Sequence, residues 1–233
     1  MSFDGKIVVI TGAAGNLGQA TARAFMEVGA RCVLVDKDGA VLKAIYGEAE
    51  GFTYVPIDLI DRECSIKALR ECVNPLGPIE ALCNLAGGFS MGKPVHETPA
   101  VEFDAMIDVN VRSIINSAAA IVPSMLANGG GRIVNIAATA GLRGSAHMAA
   151  YSLSKSAVIR ITESMSAELR DHGVNVNCVL PSIIDTPTNR AAMPQQDPAQ
   201  WVTPAALADV ILFLTSHSSR AIHGAAIPVV GMV

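Results

Sequence analysis

The sequence predicts an α/β fold built on a doubly wound parallel sheet, with helices on both faces. Three observations carry this. Short β-branched runs alternate with stretches of helical length along the whole chain. Hydrophobic residues fill 51% of the 233 positions but aromatics only 4%, so Ala, Val, Ile and Leu must build the core, as in a parallel sheet covered on both faces. A glycine-rich turn follows the first of the β-branched runs.

The strands are expected at 7–10, 32–35, 53–57, 81–85, 132–136, 174–180 and 226–230. The helices between them are expected at 16–28, 39–47, 61–72, 99–127, 150–171 and 203–216. Asp61 before Arg62 and Glu63 has the form of a helix cap with acid in the first turn. Gly173 after Asp171 and His172 reads as a helix stop. Right-handed crossovers place the helices on both faces of the sheet. The length fits one domain over 1–233. The segment 181–202, rich in Pro, Gln and Asn, breaks the alternation; at that length it reads as a binding loop, with a lid at about 182–202.

Composition narrows the partners. Net charge is −4 and no basic run occurs, so nucleic acid is not expected. The N-terminal residues lack a basic-then-apolar signal pattern. Residues 113–131 carry no charge, yet Asn116, Ser117, Pro123, Ser124, Asn128 and three glycines fit a buried helix and its turn rather than a membrane span. A cytoplasmic protein is expected. The five cysteines are scattered without CxxC spacing and read as reduced core thiols; no metal site is expected.

The turn after the first strand is Thr11-Gly12-Ala13-Ala14-Gly15-Asn16-Leu17-Gly18. Glycines there let backbone approach a pyrophosphate, and the helix that follows offers free N–H groups and a positive dipole end. Position in a strand-turn-helix unit is the context that gives such a cluster meaning. Gly12, Gly15, Asn16, Leu17 and Gly18 are therefore expected to cradle a dinucleotide in a Rossmann-type unit. Asp36 ends the second strand, eighteen positions past Gly18. A carboxylate there accepts from both ribose hydroxyls and repels a 2′-phosphate, which favours NAD, with NADP as the alternative. Tyr151 and Lys155 stand four apart in a helical stretch and share one face. An ammonium near a phenol favours the phenolate, so Tyr151 is expected to pass a proton with its pKa lowered by Lys155.

With these pieces the chain resembles the short-chain dehydrogenase/reductase family over essentially its full length. The resemblance rests on the 11–18 turn, Asp36, Asp58-Leu59, Asn84-Leu85-Ala86-Gly87, Asn110, the 131–136 run, Tyr151 with Lys155, Pro181 and Thr186. It implies a nicotinamide cofactor and a homodimer or homotetramer. It assigns Asp58, with Leu59, to the adenine side, and Asn84, Ala86 and Gly87 to the cofactor floor. Asn110 would support a relay to Lys155, which would also hold the nicotinamide ribose. Pro181, Ile184 and Thr186 would complete the cofactor contacts, Thr186 at the carboxamide. The surplus of apolar surface along 114–126 and 151–169 also points to an interface between copies.

The sequence departs from the family pattern at three places. The carbonyl-polarising serine, thirteen residues before the tyrosine, is Ala138, which has no hydroxyl to donate; Thr139 or water would have to replace it. The second Asn of the Asn-Asn-Ala-Gly signature is Leu85. The loop after Thr186 is shorter than in most relatives. Alanine at 138, the 180–201 lid motif and Ala86-Gly87-Gly88 resemble the quinonoid dihydropteridine reductase branch, whose substrate is reduced at a conjugated C=N system.

Other residues have plainer readings. Trp201 reads as a packing anchor. Arg190 suits either an anionic substrate group or one of Asp185 and Asp197. His147 reads as a surface or capping histidine, and Met91, Met148 and Met193 as apolar lining. The expected function is an NAD(H)-dependent oxidoreductase moving a hydride between nicotinamide and a small conjugated C=N or C=O substrate, with a quinonoid dihydropterin foremost. The alternatives are a general alcohol dehydrogenase or ketoreductase, including the 3-oxoacyl type, and a catalytically weak NAD-binding sensor or scaffold.

Overall fold

The computed structural model describes residues 2–48 and 50–232; Met1, Ala49 and Val233 of the expected 1–233 domain lie outside the described residues. Seven strands form one sheet: β1 (Ile7–Thr11), β2 (Arg31–Asp36), β3 (Phe52–Pro56), β4 (Ile79–Asn84), β5 (Gly131–Ile136), β6 (Val174–Pro181) and β7 (Ala226–Val229). Their spatial order is β3-β2-β1-β4-β5-β6-β7, and every pairing is parallel. This is the doubly wound sheet that the alternating pattern predicts. The strands β1, β4 and β6 are almost wholly buried because both of their faces are covered.

The helices are α1 (Asn16–Glu27), α2 (Gly39–Tyr46), α3 (Arg62–Val73), α4 (Ala100–Ile107), α5 (Ser113–Ala127), α6 (Ala149–Leu169), α7 (Pro187–Ala192) and α8 (Pro204–Leu214). One face of the sheet is sealed by α1, α2 and α8, through Ala22, Phe25, Leu42, Leu207 and Ile211. The other is sealed by α3, α5 and α6, through Leu69, Val73, Ile121, Met125, Val158 and Ile159. Asp61 caps α3 by accepting from the Cys64 N–H at 3.1 Å, and Gly173 ends the α6 segment with φ +76°, a conformation that favours glycine.

The structure corrects four expectations. The helix expected over 99–127 is α4 and α5 joined by a π-turn, Asp108–Arg112, inside one continuous run. That run, Ala100–Ala127, is long and apolar enough to cross a membrane by length and composition, but 56% of its most apolar window is buried in this fold. The 181–202 segment is not wholly irregular: α7 forms in it, started by Thr186, whose side chain accepts from the Asn189 N–H. The strand expected over 81–85 stops at Asn84, because the Leu85 N–H leaves the ladder and bonds the Thr11 hydroxyl at 3.0 Å. Among the cysteines, Cys32, Cys83 and Cys178 lie in the core, whereas Cys64 is exposed and Cys72 half-buried. These two stand off the Ser65, Leu69, Val73 stripe that α3 turns inward.

β1 pairs with β2 on one side and β4 on the other, so connections leave it in opposite directions. A crevice opens beyond the carboxyl ends of strands at such a switch point. The expected binding residues gather there.

Candidate active site

The glycine turn is braced from four sides. The Ala13 N–H donates to the Val35 carbonyl at 3.2 Å, and the Ala14 N–H to Asp36 Oδ2 at 2.9 Å. Tyr46 Oη donates to the Ala13 carbonyl at 2.7 Å, and Gln19 Nε2 to the Ala14 carbonyl at 2.9 Å. Gly12 has φ +65°, and a Cβ there would lie 2.7 Å from the Ala86 nitrogen. At Gly18 a Cβ would meet the Gly12 carbonyl oxygen at 2.2 Å. No side chain caps α1 at Gly15, so its first-turn amides, those of Asn16, Leu17 and Gly18, stay free for an anion.

Beside this turn lies a cavity of about 240 Å³. Gly12, Asp36, Asp58, Leu59, Ala86 and Gly87, all expected to contact the cofactor, line it together. Asp36 Oδ1 also accepts from the Lys37 N–H at 2.8 Å, and Asp58 Oδ1 from the Ile60 N–H at 3.0 Å. A carboxylate offers about four lone-pair directions, so both retain acceptor capacity toward the cavity. These residues fit the adenosine and pyrophosphate of a dinucleotide. Among the described residues no group of three or more His, Cys, Asp or Glu is placed to hold a metal ion.

The side chain of Asn84 turns away from the cavity. Its side chain is buried in a polar chain: Ser117 Oγ donates to Asn84 Oδ1 at 2.6 Å, Asn84 Nδ2 to Asn135 Oδ1 at 2.8 Å, and Asn135 Nδ2 to Thr162 Oγ1 at 2.9 Å. It ties β4 to β5, α5 and α6. The Thr11 hydroxyl accepts from the Leu85 and Ala86 N–H groups, which presses the 85–87 backbone against Gly12.

Gly87 is where the cavity meets the tyrosine and lysine. A Cβ there would stand 2.8 Å from Asn110 Oδ1 and 3.3 Å from Lys155 Nζ. Asn110 sits in the π-turn, fully buried. Its Oδ1 accepts from the Gly88 N–H at 2.9 Å; its Nδ2 donates to the Gly88 carbonyl at 3.1 Å and to Ser154 Oγ at 3.0 Å. Ser154 Oγ donates in turn to the Tyr151 carbonyl at 2.8 Å. Lys155 Nζ donates to the Ile136 carbonyl at 2.9 Å and lies 5.9 Å from the Tyr151 ring centroid.

The electrostatics correct one expectation. Burial pushes the Tyr151 phenol up to about 12, and burial pulls the Lys155 ammonium down to about 8. Desolvation disfavours the charged form of each, and at Tyr151 it dominates over the lowering expected from Lys155. At neutral pH the pair therefore stands as a protonated phenol beside an ammonium.

Ala138 is buried at the end of β5 in extended backbone, and the Thr139 hydroxyl makes no hydrogen bond among the described residues. On the lid side, Pro181 ends β6, and Ile184 bridges Val202 at the lid's two ends. Thr186 retains its O–H as a donor while it caps α7. Trp201 is buried, a packing anchor as expected. Arg190 pairs with Asp185 through two bonds of 2.5 and 2.7 Å, which resolves its two readings in favour of the carboxylate. His147 caps nothing: it precedes α6, exposed, with φ +64°, and its carbonyl accepts from the Gly92 N–H at 2.9 Å.

Sequence reasoning gave Thr11 no role of its own within the turn and passed over Tyr46, Ser154 and Phe89. Ser154 is readable in retrospect, because it lies three residues past Tyr151, on the helical face shared with Lys155. Tyr46 carried no local signal, since its partner is 33 residues away.

Comparison with known proteins agrees with this geometry. Residues 6–197 match the family model described as short chain dehydrogenase. The 2-dehydro-3-deoxy-L-rhamnonate dehydrogenase (NAD(+)) of Sphingomonas sp. is 34% identical over 185 residues, 79% of this chain and 74% of that protein. The 3-oxoacyl-(acyl-carrier-protein) reductase FabG of Thermotoga maritima is 30% identical over 99% of this chain and 98% of its own. Among solved structures, an NAD+-bound xylitol dehydrogenase superposes with a TM-score of 0.91 at 27% identity, covering 99% of this chain and all of that one. The chain belongs to the short-chain dehydrogenase family of oxidoreductases.

Proposed function

We infer that the chain is an NAD(H)-dependent oxidoreductase that reduces or forms a conjugated C=N or C=O bond, with a quinonoid dihydropterin as the foremost substrate. The observation that carries this is the meeting at Gly87: one cavity lined by six dinucleotide-type residues ends against Asn110 and Lys155. Free amides of Asn16, Leu17 and Gly18 hold the pyrophosphate, Asp36 takes the ribose hydroxyls, and Asp58 and Leu59 border the adenine. The backbone at Asn84, Ala86 and Gly87 forms the floor, while Pro181, Ile184 and Thr186 close the nicotinamide end under the 182–202 lid. When bound, the nicotinamide supplies or accepts the hydride. Tyr151 gives its phenolic proton to the substrate heteroatom as carbon gains hydride, and Lys155 as ammonium stabilises the phenolate left behind. Asn110 would support a water relay to Lys155 for reprotonation. Ala138 suits a substrate with no carbonyl oxygen to grip. Exposed Ile115, Leu126 and Leu153 on α5 and α6 fit an interface in a homodimer or homotetramer, and the composition suits the cytoplasm.

A second reading, a 3-oxoacyl-type ketoreductase with Thr139 or water in place of the serine, is favoured by the full-length similarity to FabG. Initial rates of NADH oxidation with a quinonoid dihydropterin, beside a panel of ketones and aldehydes, separate the two. Turnover with the pterin alone supports the first; turnover only with carbonyls selects the second. Tyr151→Phe is expected to cut kcat by about 10²–10⁴ while the Kd for NADH stays within twofold, on the order of RT. Unchanged turnover would remove Tyr151 as proton donor. Binding of NADH without any turnover would leave a sensor or scaffold.

A further inference from the structure

Phe89 follows the Gly87-Gly88 pair and is 63% exposed, yet its ring packs edge-to-face on Tyr151 at a centroid distance of 4.9 Å and an interplanar angle of 72°. A large exposed apolar side chain against a half-buried reactive phenol is an unusual pairing, because burial of the ring is worth a few kcal/mol that the fold here forgoes. The ring does not occupy this place through loose packing. Gly88, its neighbour, is clasped at both N–H and C=O by the Asn110 amide, and Ser154 braces that amide. Two residues on, Met91 is 61% exposed, and the next residue, Gly92, is tied to the His147 carbonyl. His147 holds a left-handed backbone, φ +64°, that is uncommon for a residue with a side chain. The 88–92 segment is thus fixed at both ends, to the π-turn and to the loop that leads into Tyr151, and it presents apolar surface beside the phenol.

We propose that Phe89 is the specificity-determining platform of this site: a flat, conjugated ring stacks on its uncovered surface, which places the ring's C=N or C=O beside Tyr151. The edge-to-face contact uses only part of the Phe89 ring and leaves the remainder open, the arrangement in which a second π-system is accepted by offset stacking. The segment is fixed before any ligand arrives, so little ordering cost opposes binding. A saturated or polyhydroxylated substrate gains neither stacking from Phe89 nor hydrogen bonds from Met91.

This inference rests on the oxidoreductase reading but is tested apart from it. The probes are quinolin-2-one, planar and not reduced by the exchange proposed above, and its saturated octahydro analogue. Each is titrated by calorimetry into the full chain with NADH present, for wild type, Phe89→Ala and Phe89→Leu. The planar lactam is expected to bind wild type up to about tenfold tighter than the saturated one, the upper end of what a single aromatic pair supplies. The preference is expected to vanish in Phe89→Ala and also in Phe89→Leu, which keeps apolar bulk without a π-face. Equal binding of the two lactams, binding of neither, or a preference that survives both substitutions would overturn the platform. NADH fluorescence in the same samples reports the cofactor separately: failure of NADH to bind would defeat the oxidoreductase reading and leave the lactam comparison standing on its own result.

Discussion

The glycine turn and the tyrosine–lysine site face one another across the carboxyl edge of the same sheet, yet they are built from opposite materials. The turn is backbone: glycines at 12, 15 and 18, free amides and one carboxylate, with Tyr46 and Gln19 only bracing carbonyls from behind. The other site is side chain: Asn110 from the π-turn, with Ser154, Tyr151 and Lys155 from α6, all but Tyr151 buried. A backbone site depends on the absence of side chains at a few positions and is indifferent to most others. A side-chain site depends on the identity of each group and on what burial does to its charge.

The largest test of this contrast is Gly18→Ala. The new methyl would stand 2.2 Å from the Gly12 carbonyl oxygen and 2.7 Å from Ala13 Cα, both backbone atoms that move only if the turn moves. A loss of about 3 kcal/mol or more is expected, read as a fall in Tm of roughly 6–12 °C for a chain of this size, with NADH binding abolished. An unchanged Tm and Kd would mean that the turn is not the rigid cradle described.

Lys155→Met tests the other side. Burial lowers the folded-state ammonium to about 8 from its ordinary 10.5. Between those values the unfolded chain binds the proton and the folded one does not, so this group makes stability rise with pH across that window. Below pH 8 the folded protein carries the whole penalty, about 3 kcal/mol. The substitution removes it. Relative to wild type, the variant is expected to be more stable at pH 7 than at pH 10.5 by up to about 3 kcal/mol, measured in urea titrations at the two pH values, while turnover collapses. A difference that does not vary with pH would place the amine in contact with water.

Asp36→Asn has the smallest expected effect. The amide keeps an acceptor for the Ala14 N–H but loses the charge that repels a 2′-phosphate. The Kd for NADH should rise about tenfold, ~1.4 kcal/mol, and that for NADPH should fall, with Tm held. A variant that binds both cofactors as wild type does would restrict Asp36 to bracing the turn.

The same division explains what could be read before the fold was known. The sheet, the turn and Asp36 depend on period and spacing, which are local, and they were legible within a residue or two. The π-turn was not, because nothing in the 99–127 apolar pattern marks the extra residue; it arises where Asn110 meets Gly88 and Ser154. The helix α7 was hidden in a Pro-rich stretch, since its start depends on a single threonine cap. The upward push of burial on Tyr151 was not legible, because spacing on a helix reveals proximity and not dielectric. Asn84 was assigned to the floor by resemblance, but its amide turns inward to partners 33 and 51 residues away, and such distant pairings leave no mark in a window of sequence.

That inward turn bears on how the chain finds its register. Asn84 and Asn135 are cross-strand neighbours at the join between β4 and β5, where the half of the sheet that carries the glycine turn meets the half that carries α6. The surrounding strand residues are interchangeable aliphatics, so hydrophobic burial alone would accept a slip of two residues nearly as well as the native alignment. A slipped pairing would strand both amides among hydrocarbon, each at a cost of about 1–3 kcal/mol, while Ser117 and Thr162 keep carbonyl acceptors within their own helices. The two amides act as a key cut for one lock position: they add little to the depth of the native well but raise the floor of its nearest competitor.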